Sequence, residues 1–324
     1  VLIGGGHSHV EVLKHFSMNP VPGVRLTLVS DADVSPYSGM VPGCIAGHYA
    51  LDEIQIALEP LCRRAGARFI GAEVTGVDTT NKRVLLQNRP ALQYDLLSIN
   101  SGAQPDLKGQ PGLAVKPIAA FLNHWPKLKT AIEQQDTPVS VVIVGAGAGG
   151  VEVAMACRAS LPSQTTITLI GPRLLSGLSR QAARLCQRAF QTRRVEYLSE
   201  RVIRAVEDPE GFTLALGNGA TKLANHLLWV TDVRAPSWVA DTGLACDKKG
   251  FLSVGSDLRS VSDNSVFAVG DIAHLQGQER AKAGVYAVRA APVLARNLAK
   301  AVQGLPLSAA NSRFKAQRSF LTLI

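Results

Sequence analysis

Two glycine-rich strand–turn–helix junctions, at Gly4 and Gly145, and a late Ser265-Val266-Phe267-Ala268-Val269-Gly270-Asp271 signature predict an α/β chain. The predicted architecture is two Rossmann-like, three-layer dinucleotide-binding domains, the second inserted in the first. The first junction reads Val1-Leu2-Ile3-Gly4-Gly5-Gly6-His7-Ser8-His9 and the second Val141-Val142-Ile143-Val144-Gly145-Ala146-Gly147-Ala148-Gly149-Gly150. In each, a short apolar strand ends in glycines and a helix begins. Glycine accepts the tight turn and lets the backbone approach a diphosphate closely. The helix N terminus then offers free N–H groups and a partial positive charge. One such junction is a weak signal. Two in the right context, followed by Gly270-Asp271, point to two bound dinucleotides.

In the first junction Gly4 and Gly6 fit the pattern, but His9 stands where the third glycine usually sits. That glycine serves close helix–strand packing, so His9 is expected to widen the contact slightly. His7, Ser8 and His9 are read as phosphate-loop residues. His7 and His9 have no third ligand nearby in sequence that would make a zinc site. Residues 24–31 form a second strand ending in Ser30 and Asp31. An acid there normally accepts hydrogen bonds from the adenine ribose. Asp31 comes one position later than the usual spacing, so Ser30 shares the role. Residues 36–43, punctuated by proline and glycine, read as a loop. Val74 lies in a strand-like run over 72–78. Residues 94–99 read as a buried strand, which ends at Asn100-Ser101-Gly102-Ala103. There the small residues Ser101 and Gly102 allow a close backbone approach.

Residues 102–117 are the best candidate for a linker, so the second domain is expected to begin near residue 113. Its junction is complete, with Gly145, Gly147 and Gly150 at the required spacing. Its second strand, 166–170, ends in Gly171-Pro172-Arg173 with no acid. The usual acceptor for the ribose 2′-hydroxyl of NADH is therefore missing, and Arg173 could meet a 2′-phosphate. Weak discrimination between NADH and NADPH follows. Further strands are expected at 202–206, 212–216 and 226–230. The chain should return to the first domain near 250–256 and close with Gly270-Asp271 and the helix after it. The expected domains are thus 1–112, 113–250 and 251–324, the first and last forming one unit.

Composition agrees. A chain of 324 residues suits about two domains, and 46% hydrophobic content is ample for their cores. No run of about twenty apolar residues is present, and no signal peptide is visible. The chain opens directly in a strand, which points to a few residues preceding it. The net charge of +9 is spread over short basic pairs such as Arg63-Arg64 and Arg193-Arg194. This reads as a solvated basic surface and not a nucleic-acid footprint. Attraction to phosphate-bearing cofactors or an anionic membrane face stays open. The five cysteines, Cys44, Cys62, Cys157, Cys186 and Cys246, form no C-x-x-C or C-x-x-x-x-C pair. Dispersed and odd in number, they suggest reduced thiols in a cytoplasmic setting. They also offer no local dithiol to relay electrons from a flavin. Cys44 is the one nearest an expected flavin segment and is read as structural.

With these pieces placed, the chain resembles the pyridine nucleotide-disulfide oxidoreductase superfamily, flavoproteins with two dinucleotide domains. Within it the nearest resemblance is to type II NADH dehydrogenase-like proteins, in the branch linked to selenophosphate synthetase. The motifs that carry it are Gly4-Gly5-Gly6-His7-Ser8-His9-Val10, Pro36-Tyr37-Ser38-Gly39-Met40, Gly47-His48-Tyr49, Gly150-Val151-Glu152, Trp229-Val230-Thr231, Val266-Phe267-Ala268-Val269-Gly270-Asp271 and Lys282-Ala283-Gly284-Val285-Tyr286-Ala287-Val288-Arg289. The resemblance implies noncovalent FAD, NAD(P)H, hydride transfer from nicotinamide to flavin, and a small quinone-like electron acceptor. It implies that Asp271 accepts hydrogen bonds from the FAD ribityl chain while Gly270 lets the backbone approach. The helix after Ala283 would aim its N terminus at the flavin ring. That stabilises the negative charge of reduced flavin by about 0.3–1 kcal/mol. Lys282 would add to this field, or be a solvated loop lysine. Glu152 is similar to a glutamate near the nicotinamide–flavin junction of relatives. It would steer the nicotinamide or relay a proton, or simply complement its helix dipole.

Two departures stand out. Asp232 replaces the glycine that usually follows Trp229-Val230-Thr231, which forces either a buried charge near phosphates or an unusual backbone angle. The superfamily's later C-terminal region, which carries membrane contact or dimerisation, is expected to be missing. A sulfide:quinone reductase would need a reactive cysteine late in the chain, and none follows Cys246. A different class remains as the alternative: a flavin-binding module that serves selenium metabolism with little turnover. The expected location is cytoplasmic, with peripheral contact to the inner face of a membrane left open.

Overall fold

A parallel strand covered on both faces must be apolar along its whole length. The strands that end in the glycine loops have that character. The computed structural model describes residues 1–278 and 282–317. The chain divides into two units. Of the described residues, the first takes Val1–Tyr37, Gln55–Gln104 and those from Arg234 to residue 317; the second takes Ser38–Ile54 and Pro105–Val233.

The first unit is built on a five-stranded parallel sheet. Its order is Val266–Ala268, Leu97–Ile99, Leu2–Ile3, Thr27–Ser30, Arg68–Gly71. Side chains alternate across it. Leu2, Leu28 and Phe267 pack with Val12, Leu13 and Phe16 of the His7–Met18 helix and with Leu294 and Leu298 of the Gly284–Val302 helix. Ile3, Val29 and Ile99 point the other way and are also buried. Backbone hydrogen bonds continue past the strand ends. Gly4 N–H donates to Val29 O (2.8 Å), Asn100 N–H to Ile3 O (2.8 Å) and Val269 N–H to Ile99 O (3.0 Å). The first glycine loop, the Asn100 turn and Gly270 thus share one carboxyl edge, where ligands of open α/β sheets bind.

The second unit repeats the plan. Its parallel sheet runs Leu113–Ala114, His226–Trp229, Ser140–Val144, Thr166–Ile170, Val195–Leu198. Ile143, Leu169 and Leu228 pack with Phe121 and Trp125 of the Ile118–Glu133 helix and Val151 and Ala154 of the Ala148–Ser160 helix. Val142, Val144, Ile170 and Trp229 pack instead with Ala205, Leu214 and Ala224 of an antiparallel three-stranded sheet. This unit therefore has three layers, helices, parallel sheet and antiparallel sheet. Among the described residues no helix is long and apolar enough to cross a membrane.

Three expectations change. Residues 36–43 are not all loop: Ser38–Met40 is a 3₁₀ turn and Val41–Ile45 a short helix. Pro42 sits in its first turn, where a missing N–H is harmless. The proline- and glycine-rich stretch 102–117 contains Leu113–Ala114, an edge strand of the second sheet. The unit limits also fall earlier than 113 and 250, and Ser38–Ile54, expected within the first unit, belongs to the second. Asp106 N–H donates to Asp232 O (3.1 Å), drawing the segment before 113 into the second unit. Thr79 Oγ1 donates to Thr242 O (3.0 Å), drawing the segment before 250 into the first.

Leu13 is fully buried between the sheet and its flanking helices. Leu13→Ala should destabilise the chain by about 2–5 kcal/mol, the range for a cavity left in a packed core. Urea denaturation monitored by circular dichroism measures this; a loss below about 1 kcal/mol would show that the helix layer collapses around the gap.

Two candidate dinucleotide sites

The first site begins with backbone steric constraint. Gly4 has φ +89°, and a Cβ there would overlap the Asn100 carbonyl and lie 2.8 Å from Ser101 Cα. A Cβ on Gly6 would overlap Asn100 Oδ1 and lie 2.7 Å from its Cγ. Neither position admits a side chain. Gly6 is the N-cap of the His7–Met18 helix and no side chain caps its N–H groups. His7 is half-buried, its ring edge-on to Tyr37 at 5.2 Å, and its Nε2 is buried with no partner. Burial lowers its pKa, so the ring is held neutral.

His9 does not present its ring on the open side of the loop, as a phosphate-loop residue would. It is wholly buried, with Nδ1 at 2.7 Å from Gly4 O and Nε2 at 2.8 Å from Ser98 Oγ. A carbonyl only accepts, so Nδ1 carries the hydrogen and Nε2 accepts from the Ser98 hydroxyl. The imidazole holds the loop carbonyl from beneath. Burial pushes its pKa down to about 3. Ser8 is also buried, its hydroxyl donating to Ala287 O (2.8 Å). Of this trio only His7 remains beside the loop with an unengaged side chain.

Further predicted residues lie in the same unit. Ser101 is exposed and Gly102 has φ +72° with open space over its Cα. Gly270 has φ +74°, and a Cβ there would lie 3.1 Å from Asn100 Oδ1. Asp271 follows, half-buried in a 3₁₀ turn. Ser30 is buried and accepts from Ala32 N–H (3.3 Å), while Asp31 is exposed just beyond the strand. Val74 opens the antiparallel sheet of Val74–Asp78, Arg83–Leu86 and Arg89–Gln93, where it pairs with Leu86. Ala283 is the uncapped N-cap of the Gly284–Val302 helix. Lys282 is not a solvated lysine: its Nζ donates to Ala273 O (2.7 Å) and lies 3.7 Å from the Phe251 ring centroid. Asn100, in contact with three glycines, escaped the sequence reading. Its signal was its place directly after the strand beside Leu2–Ile3.

The second site has the same framework. Gly145 has φ +118°, and a Cβ there would overlap Val230 O. A Cβ on Gly150 would overlap Gly145 O, so the helix packs directly on the loop. Gly147, the uncapped N-cap of the Ala148–Ser160 helix, differs: nothing lies within 4 Å of its Cβ position. Its glycine leaves room that the chain itself does not fill, as a diphosphate requires. Both glycine loops therefore fit a dinucleotide. Glu152 is half-buried in the same helix, and desolvation raises its pKa.

Two departures now have a physical reading. Asp232 is exposed and is not among the residues of positive φ, so it neither buries a charge nor takes the unusual angle. At Gly171, a Cβ would lie 2.6 Å from Ala146 Cβ and 2.7 Å from its backbone N. An acid is excluded here by lack of space. Tyr197 Oη donates to Gly171 O (2.8 Å) and Ser199 Oγ to Pro172 O (3.1 Å), fixing the turn from which exposed Arg173 projects. All five cysteines are free thiols. Burial raises every one, Cys62 to about 11 and Cys157 to about 12.

Comparison with known proteins agrees with this geometry. Residues 1–291 match the family described as pyridine nucleotide-disulphide oxidoreductase. The chain is 26% identical over 289 residues to the NADH dehydrogenase-like protein YutJ of Bacillus subtilis, covering 85% of this chain and 76% of that protein. It is 24% identical over 231 residues to the demethylphylloquinone reductase NdbB of a Synechocystis strain, covering 68% of this chain and 57% of that protein. Among solved structures, the water-forming NADH oxidase from Lactobacillus brevis bound to NADH superposes with a TM-score of 0.78. The identity is 19%, over 92% of this chain and 68% of that one. Likeness at that identity speaks for the fold.

The buried His9 should give stability a proton dependence. Its folded pKa, about 3, lies below the ordinary 6.5. The unfolded chain therefore binds the proton more readily. The stabilisation is present above pH 6.5 and is lost as pH falls toward 3, by up to about 1.4 kcal/mol per pH unit. His7 and His226 are shifted the same way and add to the acid limb. His9→Gln should remove one proton's worth of slope between pH 6.5 and 4.5 in urea titrations. An unchanged slope would mean that His9 protonates freely in the fold.

Proposed function

The chain belongs to the pyridine nucleotide-disulphide oxidoreductase family and is an FAD-dependent NAD(P)H oxidoreductase; on that premise we propose that its first unit holds FAD, its second the nicotinamide dinucleotide, and that electrons leave for a quinone-like acceptor. The observation that carries this reading is the pair of uncapped helix N termini set over glycines whose Cβ positions are blocked or left open. FAD, when bound, supplies a ring that takes two electrons from a nicotinamide and releases them singly or in pairs.

The chain's own groups have distinct tasks in this reading. Gly4, Gly6 and the first-turn amides of His7 and Ser8 meet the FAD diphosphate, Ser30 and Asp31 the adenine ribose. Val74, Ser101 and Gly102 line the cofactor, Gly270 admits it, and Asp271 holds its ribityl hydroxyls. The helix opening after Ala283 sets its positive end toward the flavin ring. Lys282, held by Ala273 and Phe251, adds a fixed positive charge. Gly145, Gly147 and Gly150 seat the nicotinamide dinucleotide, and Arg173 reads its adenosine end. Glu152, its pKa raised by burial, is suited to hold a proton nearer neutral pH than an ordinary carboxylate.

The thiols favour a quinone-like acceptor over a disulfide. A thiolate is the reactive species, and every cysteine here is shifted away from it. Two relatives named as an NADH dehydrogenase-like protein and a demethylphylloquinone reductase support the same class. The net charge of +9 supports contact with an anionic membrane face. A link to selenophosphate synthetase rests on the motif resemblance alone.

The acceptor is tested by anaerobic stopped-flow reduction with NAD(P)H, then mixing with a panel of quinones and disulfides. Flavin reduction and quinone reoxidation should survive replacement of all five cysteines by serine or alanine within about threefold. Loss of either on Cys44→Ser alone, in a folded and FAD-loaded chain, would return the reaction to thiol chemistry. Nicotinamide choice is tested by Arg173→Ala. A lost charge-assisted contact of about 1.5–3 kcal/mol should lower NADPH use relative to NADH by roughly 10- to 100-fold. A ratio that does not move would assign the ribose reading to other residues.

A further inference from the structure

The two glycine loops differ at one matched position. Over Gly147 the space is open. Over Gly6, its counterpart in the first loop, the space is filled by the side chain of Asn100. The same side chain reaches Gly270, so it lies between the first fingerprint and the Gly-Asp motif. Asn100 is 5% exposed, and its Nδ2 is fully buried with no hydrogen-bond partner among the described residues. An amide nitrogen left so is costly, and native structures rarely keep one without reason. Its backbone is fixed at the end of the central sheet by the bond to Ile3 O, which keeps the side chain beside Gly6 and Gly270. The donor is thus held beside an uncapped helix N terminus, where anions bind.

We propose that Asn100 is a cofactor-binding residue whose side-chain amide donates a hydrogen bond to a diphosphate oxygen of FAD. The assignment rests on the reading that the first unit holds FAD. The amide carbonyl stands against the two glycines, and the amide nitrogen, buried and unpartnered in the chain alone, turns to the diphosphate when FAD binds. Where the second loop leaves an empty approach over its middle glycine, the first presents a neutral donor. A neutral donor suits a site already flanked by positive helix ends, because it adds direction without further charge. The unpaired donor is a burden on the apo chain alone, and FAD binding relieves it.

Two variants test this. Asn100→Leu keeps similar volume and removes the donor; Asn100→Asp keeps the shape and sets a carboxylate against the diphosphate. Three quantities are measured on the full chain: the FAD dissociation constant by fluorescence quenching, the thermal midpoint of the apo chain, and the ³¹P resonances of bound FAD. Both variants should bind FAD at least tenfold more weakly, Asn100→Asp the more so. The apo midpoint of Asn100→Leu should be unchanged or higher, and the ³¹P resonances should move while the flavin absorption band stays in place. If wild type and variants bind FAD equally, the assignment to Asn100 is overturned and the FAD reading stands. If the apo midpoint and the affinity fall together, Asn100 is only a packing residue and the proposal fails. Should Asn100→Leu not fold, the affinity and ³¹P shifts of Asn100→Asp decide alone. A wild-type chain that takes up no FAD after refolding overturns the reading on which the proposal rests.

Discussion

The close approach of one glycine to the carbonyl of a neighbouring strand end is the constraint on which both units are built. Gly4 lies against the Asn100 carbonyl and Gly145 against the Val230 carbonyl, each at positive φ. No side chain fits either contact. The approach is possible because the strand ladders continue one residue beyond the sheets, through Gly4 N–H to Val29 O and Gly145 N–H to Ile170 O. The loops then turn sharply enough to start a helix with its N–H groups uncovered. Remove the contact and the helix dipole, the anion site and the sheet edge lose their shared geometry.

The two loops reach this geometry differently, and the difference is written in pairs of residues. In the second unit the helix rests on Gly145 O through Gly150, which has no side chain to intervene. In the first unit the same task falls to His9, whose Nδ1 donates to Gly4 O from below. An imidazole needs space, and the adjacent strand provides it. Ser98 occupies the place that Leu228 takes in the second sheet, as the matched registers Ile3 with Ile99 and Val144 with Trp229 show. Ser98 also supplies the hydroxyl that Nε2 accepts. His9 and Ser98 together replace a glycine and a leucine. The departure from the glycine pattern is thus a substitution of one packing device by another.

Much of the framework was legible because it depends on local order. The strand 166–170 follows from its apolar run and the breakers beside it, and the helix after Ala283 from the motif resemblance; the structure has both there. The glycine positions of both loops were legible because backbone conformation leaves no alternative residue. What sequence hid depends on contacts distant along the chain. Asn100 meets Gly6 and Gly270, residues far from it in sequence. Lys282 looks solvated until Phe251 and Ala273 are seen to hold it. The density of proline and glycine over 102–117 marked a boundary, yet a bond between Asp106 and Asp232 draws it earlier. Such pairings are set by tertiary packing, which a local pattern does not encode.

The missing acid of the second unit has a steric cause in its glycine loop. Ala146 stands in the middle of the second loop where Gly5 stands in the first. Its Cβ and its backbone nitrogen occupy the room that a side chain at Gly171 would need. In the first unit, without that methyl, the matched strand end carries Ser30 with Asp31 beyond it. The methyl and backbone of Ala146 together leave room only for glycine at this strand end, and the carboxylate that would repel a 2′-phosphate is absent. Tyr197 and Ser199 then hold the turn through its carbonyls, leaving Arg173 as the first side chain free to reach outward. In the proposed reading, recognition of the adenosine end would move from the strand to the turn, and from hydrogen-bond acceptance to positive charge. On that reading the steric limit at Ala146 comes first and the use of Arg173 follows from it.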